Sequence, residues 1–514
     1  MERIIFIIIL SVLTSCIVRI SGQNNSEPET RREIDHIGKS LDLGLLQEFY
    51  KTPPATLSSS HPNIYLIMID TLRADKLKSN APYISRLIRN GDYFSAKRSI
   101  SAATSTAHAL FSVFWGMFPN IRYSIINSDI VKENPEKYLR GSPFLYLLRQ
   151  HKYDLNTYAY QDLEFCKDKK GNPYPLFQTD QLIHLQVLYS YKSYDFLNHC
   201  QRYKQTMSSS DNWGLLDDNT VGNFIKSVHY QRQSKTPRFR ILRLQAVHHP
   251  YGWISKRLMN EEYKKQFPFE WEEPSKTTWQ IGEKDQTDWV NVLNSYDNSV
   301  RSADYQVWRV IRELEAIGDY EKSIVIIMGD HGHALFDIPE PANVNGHGFL
   351  PFIPLTSVPL LIKLPKGHAK TLPKDLRIAS SADLFPTILD AIDIPFETAT
   401  KDLPIIGDNL FKKRSKCEVS FKSEYDFARN GSVPTRLSSF AVDNDTHRLI
   451  FVGSAGATKK TGLRLKYKID IASEKSMDLP AIEELPTIMK AEYSDCIKKI
   501  WGSEEQFLSD TEFN

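Results

Sequence analysis

The sequence predicts an α/β fold: a mostly parallel sheet flanked by helices on both faces, with a small antiparallel subdomain at the C-terminal end. Three observations predict it. Apolar runs without alternation recur at residues 64–69, 240–247, 323–330 and 358–364, the pattern of strands covered on both faces. Helical spacing fills the intervals at 81–90, 105–115, 289–317 and 382–392. Beyond about residue 395 the pattern changes to short alternating segments at 438–443, 448–452 and 464–471, before a closing helix near 482–501. The chain has 514 residues, 41% hydrophobic and 25% charged, enough apolar material for a large core. Its 64 basic and 62 acidic residues leave a formal charge of +2, which excludes the strong basic excess a nucleic-acid binder needs.

In chain order, the first element reads as a secretory signal over residues 1–22. Arg3 precedes an apolar run from Ile4 to Val18, shorter than the roughly 20 residues a membrane span requires, and the polar stretch from Ser21 follows. Leu13-Thr14-Ser15-Cys16 resembles a bacterial lipobox, so Cys16 is the one expected membrane anchor, with cleavage near Gly22 as the alternative. Residues 23–61 are polar and form a linker or arm, with a short helix expected around 41–50. Residues 62–395 are the expected catalytic domain, 166–235 a variable insertion in it, and 396–514 the C-terminal subdomain. Export permits disulfides, and Cys166, Cys200, Cys417 and Cys496 allow three pairings. None is spaced as a CxxC pair, which argues against a zinc-thiolate site. Sequons stand at Asn24, Asn430 and Asn444.

The chemistry-bearing residues gather where the apolar runs end. Asp70 closes the first run, and Asp330-His331-Gly332 follows another directly. A carboxylate beside an imidazole at a strand end can reach one divalent ion, and the oxygen–nitrogen mix suits zinc or manganese better than calcium. His248-His249-Pro250 follows a third run, and His347 sits between Gly346 and Gly348. The stretch from Ala103 to Pro119 reads as an N-capped helix, with Thr104, Ser105 and Thr106 at its start. A hydroxyl there meets the positive end of the helix dipole and free N–H groups, which favour a phosphate or sulfate oxyanion. A threonine hydroxyl becomes a useful nucleophile only when a metal lowers its pKa, so the hydroxyl and the carboxylates depend on one another.

Taken in order, these motifs resemble the sulfatase and alkaline phosphatase superfamily over about residues 62–395. Pro62–Asp75 is similar to the opening strand and its DTLRAD end, Tyr296–Asp304 to the YxxsVryxD helix, and Ile324–Gly332 to the SDHG strand. Residues 358–362 and 381–390 are similar to the VPLLI and DlxPTlL segments. The resemblance implies an alkaline-phosphatase-like sheet, with Asp70, Thr106, Asp330 and His331 as metal ligands and Thr106 as the nucleophile. Thr104 and Ser105 are fallbacks. It also implies substrate-binding or second-metal roles for His249 and His347, with His248 able to replace His249, and acid–base neighbours in His108 and His333. The ion is a divalent metal, zinc first, then manganese, magnesium or calcium. Thr106-Ala107-His108-Ala109-Leu110 stands where formylglycine sulfatases carry C/S-x-P-S-R, so the aldehyde nucleophile cannot form here. Thr71 occupies the place of a second carboxylate. The expectation is therefore an exported hydrolase or transferase of phosphate esters, working through a phosphothreonine on a small, lipid-linked or glycan-linked substrate. A sulfuric ester hydrolase and an inactive binding protein are the alternatives.

Overall fold

The computed structural model describes residues 48–51, 61–119, 142–159, 213–269, 289–401, 403–412, 417–421, 439–453, 463–480 and 484–501. The expected signal, Cys16, Asn24, Cys166, Cys200 and Asn430 lie outside them.

Strand β1 (Ile64–Ile69) is buried at every position. It is followed by helix α1 (Pro82–Asn90), short strands β2 (Phe94–Ser95) and β3 (Arg98–Ile100), and helix α2 (Thr106–Trp115). Next come α3 (Pro143–Gln150), β4 (Asp154–Tyr158), α4 (Trp213–Tyr230), β5 (Arg238–Leu244) and the 28-residue α5 (Trp289–Ala316). Strand β6 (Ile324–Gly329), hairpin strands β7 (Ala334–Leu335) and β8 (Asn345–Gly346), β9 (Leu360–Lys363), β10 (Ile378–Ser380) and α6 (Leu384–Ala391) complete the first part. The central sheet runs β2-β9-β6-β1-β5-β4. β4, β5, β1 and β6 are parallel, whereas β9 lies antiparallel to β6 and β2 antiparallel to β9.

Alternation along β1 explains the two layers. Ile64, Leu66 and Met68 join α2, α3 and α6 in one core, while Tyr65, Ile67 and Ile69 join α1, α4 and α5 in the other. Residues 213–230, placed by sequence in a variable insertion, are thus part of a core layer through Val221, Phe224 and Val228. Residues 48–51 are helical, within reach of the short helix expected around 41–50, and dock Phe49 and Tyr50 against Tyr146. Asp304 of α5 accepts the Tyr83 and Ile84 N–H groups at 2.9 and 2.8 Å, capping α1, whose Pro82 needs no such partner.

The C-terminal region holds a five-stranded antiparallel sheet: β11 (Glu418–Phe421), β12 (Ser439–Asp443), β13 (His447–Gly453), β14 (Leu463–Asp470) and β15 (Ser476–Met477). The single closing helix expected from sequence is two, α7 (Leu485–Glu492) and α8 (Ser494–Trp501), separated at Tyr493. A disulfide between Cys417 and Cys496 ties α8 to the start of β11. Asn444 is a turn-maker rather than a free sequon: its Oδ1 accepts the Thr446 and His447 N–H groups.

Candidate metal centre

The register of the central strands sets the site. Ile69 pairs with Leu244 on one side and Gly329 on the other, so three parallel strands end level. Asp70 and Asp330 therefore leave adjacent strands at the same height, beyond the carboxyl ends where open α/β sheets bind ligands. Both are buried, as is His331. Asp330 Oδ1 accepts the N–H groups of Thr71 (3.0 Å) and His331 (2.8 Å), while its Oδ2 is buried with no hydrogen-bond partner. His331 Nδ1 lies 2.8 Å from the Gly332 carbonyl oxygen. A carbonyl only accepts, so Nδ1 carries the proton and the Nε2 lone pair faces the carboxylates. Nε2 stands 3.6 Å from Asp70 Oδ1 and 3.9 Å from Asp330 Oδ2. One donor atom from each of the three residues lies within 4.8 Å of the others.

Two buried carboxylates side by side repel. Burial, then the charge of Asp70, pushes Asp330 above the ordinary carboxylate range. Burial alone would raise Asp70 too, but Arg243, whose Nη2 pairs with Asp70 Oδ2, together with His248, His331 and His347, holds it well below. An unpartnered carboxylate oxygen, a second carboxylate oxygen and an oriented imidazole nitrogen form a donor set that fits a divalent ion.

Thr106 completes the cluster. Its Oγ1 donates toward Asp70 Oδ1 at 3.4 Å and lies 3.1 Å from His331 Nε2. The fallback hydroxyls are spent elsewhere: Thr104 on the Phe349 carbonyl at 3.1 Å, and Ser105 on His108 Nδ1 at 2.8 Å. Ser105 is the N-cap and Gly116 ends the helix in the left-handed region at φ 65°. His108 thus braces the first turn of α2 from inside.

Of the two neighbouring histidines that the sequence offered, the substitute is the one set beside His347. His248, not His249, stands beside His347, with their Nε2 atoms 3.1 Å apart. The His249 carbonyl holds His248 Nδ1 at 2.6 Å, and the His249 ring packs edge-on against Tyr251. A tight turn, with Tyr251 N donating to His248 O, separates the two neighbouring side chains. The His347 and His331 rings are 4.7 Å apart. His333 is buried, with Nε2 3.0 Å from Asn345 Oδ1 and no partner for Nδ1. Burial, with His347 and His331 respectively as the next cause, keeps His333 and His347 well below the usual imidazole range. Thr71 sits at φ 57° and donates its hydroxyl to Val247 O at 2.8 Å, so it is turned from the carboxylates.

Sequence reasoning missed three residues that shape the centre. Arg243 pairs with Asp70 from mid-strand. Asp217 on α4 receives the Gln245 and Ala246 N–H groups and is pushed up to about 7, by burial first. Tyr296 accepts from Arg73 N (3.2 Å) and donates to Thr71 O (2.8 Å), bracing the loop after Asp70. Gly332 leaves no room for a side chain: a Cβ would lie 2.0 Å from Pro354 O. A second acidic group, Asp383, Asp408 and Glu418, has its charge met by Lys499, 2.8 Å from Asp408 and 3.4 Å from Glu418.

This sheet and site are those of the alkaline phosphatase and sulfatase superfamily. The chain belongs to the Sulfatase family, whose profile matches residues 62–394. The uncharacterized sulfatase YdeN of Escherichia coli (strain K12) is 31% identical over 123 residues, 23% of this chain and 20% of that protein. The chain thus spans a fifth of that curated relative's length. Among solved structures, an alkaline phosphatase superfamily protein of Vibrio parahaemolyticus superposes with a TM-score of 0.51 at 13% identity, over 93% of this chain and 100% of that one. The phosphonate monoester hydrolase of Agrobacterium radiobacter gives 0.52 at 14% identity, over 87% and 95%. At these identities the likeness is one of fold.

Proposed function

We propose that the protein is an exported, zinc-dependent hydrolase or transferase of phosphate esters with Thr106 as nucleophile. The observation that carries this reading is the position of Thr106 Oγ1, 3.4 Å from Asp70 Oδ1 and 3.1 Å from His331 Nε2. Asp70, Asp330 and His331, with Thr106, would hold the ion, which when bound would supply positive charge that favours the ionised hydroxyl and offsets charge on the phosphoryl oxygens. Thr106 Oγ, its proton lost to solvent, attacks phosphorus; the bond to the leaving group breaks with its electron pair, the departing oxygen takes a proton from solvent, and a phosphothreonine remains. Water or an acceptor alcohol then attacks that phosphorus and restores the hydroxyl. His347 is kept neutral by burial and His331, so it offers an N–H to the phosphoryl oxygens rather than charge, and His248 stands beside it. The positive end of the α2 dipole, at Thr106, favours the same anion. Threonine in place of the formylglycine precursor favours phosphate over sulfate. The Cys417–Cys496 disulfide supports an oxidising compartment, and Cys16 remains the proposed anchor.

The test pairs chemistry with mass. The zinc-loaded chain is expected to cleave a bis-aryl phosphate faster than an aryl sulfate and to show a trapped phosphoryl group on Thr106. Thr106→Ala is expected to lose about a thousandfold or more in kcat/KM. Wild-type turnover in that variant rejects the nucleophile, and preferential cleavage of the sulfate rejects the substrate class.

A further inference from the structure

We propose that Arg448, a residue of the C-terminal antiparallel sheet, is a positioning residue for the metal centre and acts through the segment 348–358. The inference rests on the metal reading above. That segment is bonded to every loop that supplies a ligand. Its Pro354 and Leu355 carbonyls accept the N–H groups of His333 (3.0 Å) and Gly332 (2.8 Å), directly after Asp330 and His331. Its Ser357 carbonyl accepts from Ala74, in the loop after Asp70, at 3.0 Å. Its Thr356 carbonyl accepts from Ser101 at 2.7 Å, and Ser101 Oγ donates to the Asp330 carbonyl at 2.5 Å. Gly348 N donates to Thr104 O at 2.7 Å, two residues before Thr106.

Nothing within the segment is regular enough to fix its own path; only the four residues Ile353–Thr356 are helical. Arg448 supplies the constraint from β13. It is buried, with Nε donating to Asp443 Oδ1 at 2.8 Å on β12 and Nη1 donating to Pro351 O (2.8 Å) and to Thr356 Oγ1 (2.5 Å). Asp443 is buried as well and also faces Arg98 at 3.5 Å. The guanidinium fork thus fastens two points of the segment to one anchored carboxylate, a geometry an ammonium cannot reproduce. Gly332 has no slack to accommodate drift, since Pro354 O already fills the space a Cβ would take. Release of the segment shifts the backbone that aims Asp330, His331 and Thr106 together.

The experiment measures zinc affinity of the purified full chain by competition with a chromogenic chelator, alongside the melting temperature of the metal-free chain. Arg448→Met is expected to lose about tenfold in zinc affinity, in the range seen when partners behind metal ligands are removed. Arg448→Lys keeps the charge against Asp443 without the fork and is expected to recover part of that loss. Thr356→Val removes one acceptor and is expected to lose about threefold, and it decides the matter should Arg448→Met not fold. Wild-type zinc affinity in folded Arg448→Met or in Thr356→Val, with only a lower melting temperature, overturns the proposal. Asp330→Asn separates the two readings. Zinc retained there overturns the metal reading and this inference with it; zinc lost there but retained in Arg448→Met overturns this inference alone.

Discussion

At the amino ends of the central strands, Asp319 Oδ2 accepts from Asn63 Nδ2 (2.9 Å), Tyr65 OH (2.5 Å) and Arg238 Nη2 (2.7 Å). At their carboxyl ends, Asp330 Oδ2 and His333 Nδ1 are buried and bonded to nothing. Both ends carry charge, and strands β1 and β5 contribute to each. The difference lies in completion. The carboxylate at the amino ends is partly exposed and met by three donors of the chain, while groups buried and left short mark a place prepared for something the chain does not itself provide.

Breaking this contrast is a matter of substituting at each end and reading two quantities, zinc binding and stability. The largest effect is expected from Asp330→Asn. It should abolish measurable zinc binding and lower kcat/KM by about a thousandfold or more. The metal-free chain should melt no lower than wild type, because a buried like-charge pair with Asp70 is relieved. A large drop in melting temperature would place Asp330 among the structural charges instead. Arg238→Met comes next. It removes one of the three donors to Asp319, a partly exposed carboxylate, and urea unfolding should show a loss of about 1–2 kcal/mol with zinc affinity of the folded protein unchanged. A change in zinc affinity there would mean that the two ends are coupled.

The smaller, conditional effect belongs to His249, lowered to about 4 by burial first and by its neighbour His248 second. Its folded pKa is below its unfolded one, so between about pH 6.5 and 4 the unfolded chain takes up a proton that the folded chain refuses. Stability should fall as pH drops through that window, by up to about 3 kcal/mol, and His249→Gln should flatten the curve by that amount. An unaltered pH profile in His249→Gln would show that the ring is not held neutral.

The sequence shows the strands buried on both faces and the ends where their ligands stand, because uninterrupted apolar runs closed by Asp70 and Asp330 carry both facts locally. Helix α5 ends within a residue of its expected limit for the same reason: its apolar stripe is long and periodic. Strand direction is not local, and nothing in residues 358–364 tells that β9 runs against β6. Arg243 was invisible because its partner lies 173 residues away, and an arginine inside an apolar run carries no mark of what it meets. The choice between His248 and His249 rests on one turn, which two identical neighbouring side chains cannot reveal. Residues 213–230 read as an insertion because their apolar positions are diluted by Asp, Asn and Gly, although one face still packs on the sheet.

Gly332 has a consequence for how the centre tolerates change. With Pro354 O 2.0 Å from the place of a Cβ, even alanine must push the 348–358 segment aside. A library of all replacements at position 332 should therefore return glycine alone among metal-loaded clones, while an exposed position further along the same connection, such as Ala342, accepts many residues. The intolerance would come from crowding and not from charge, so neither added zinc nor a change of buffer should rescue the excluded variants.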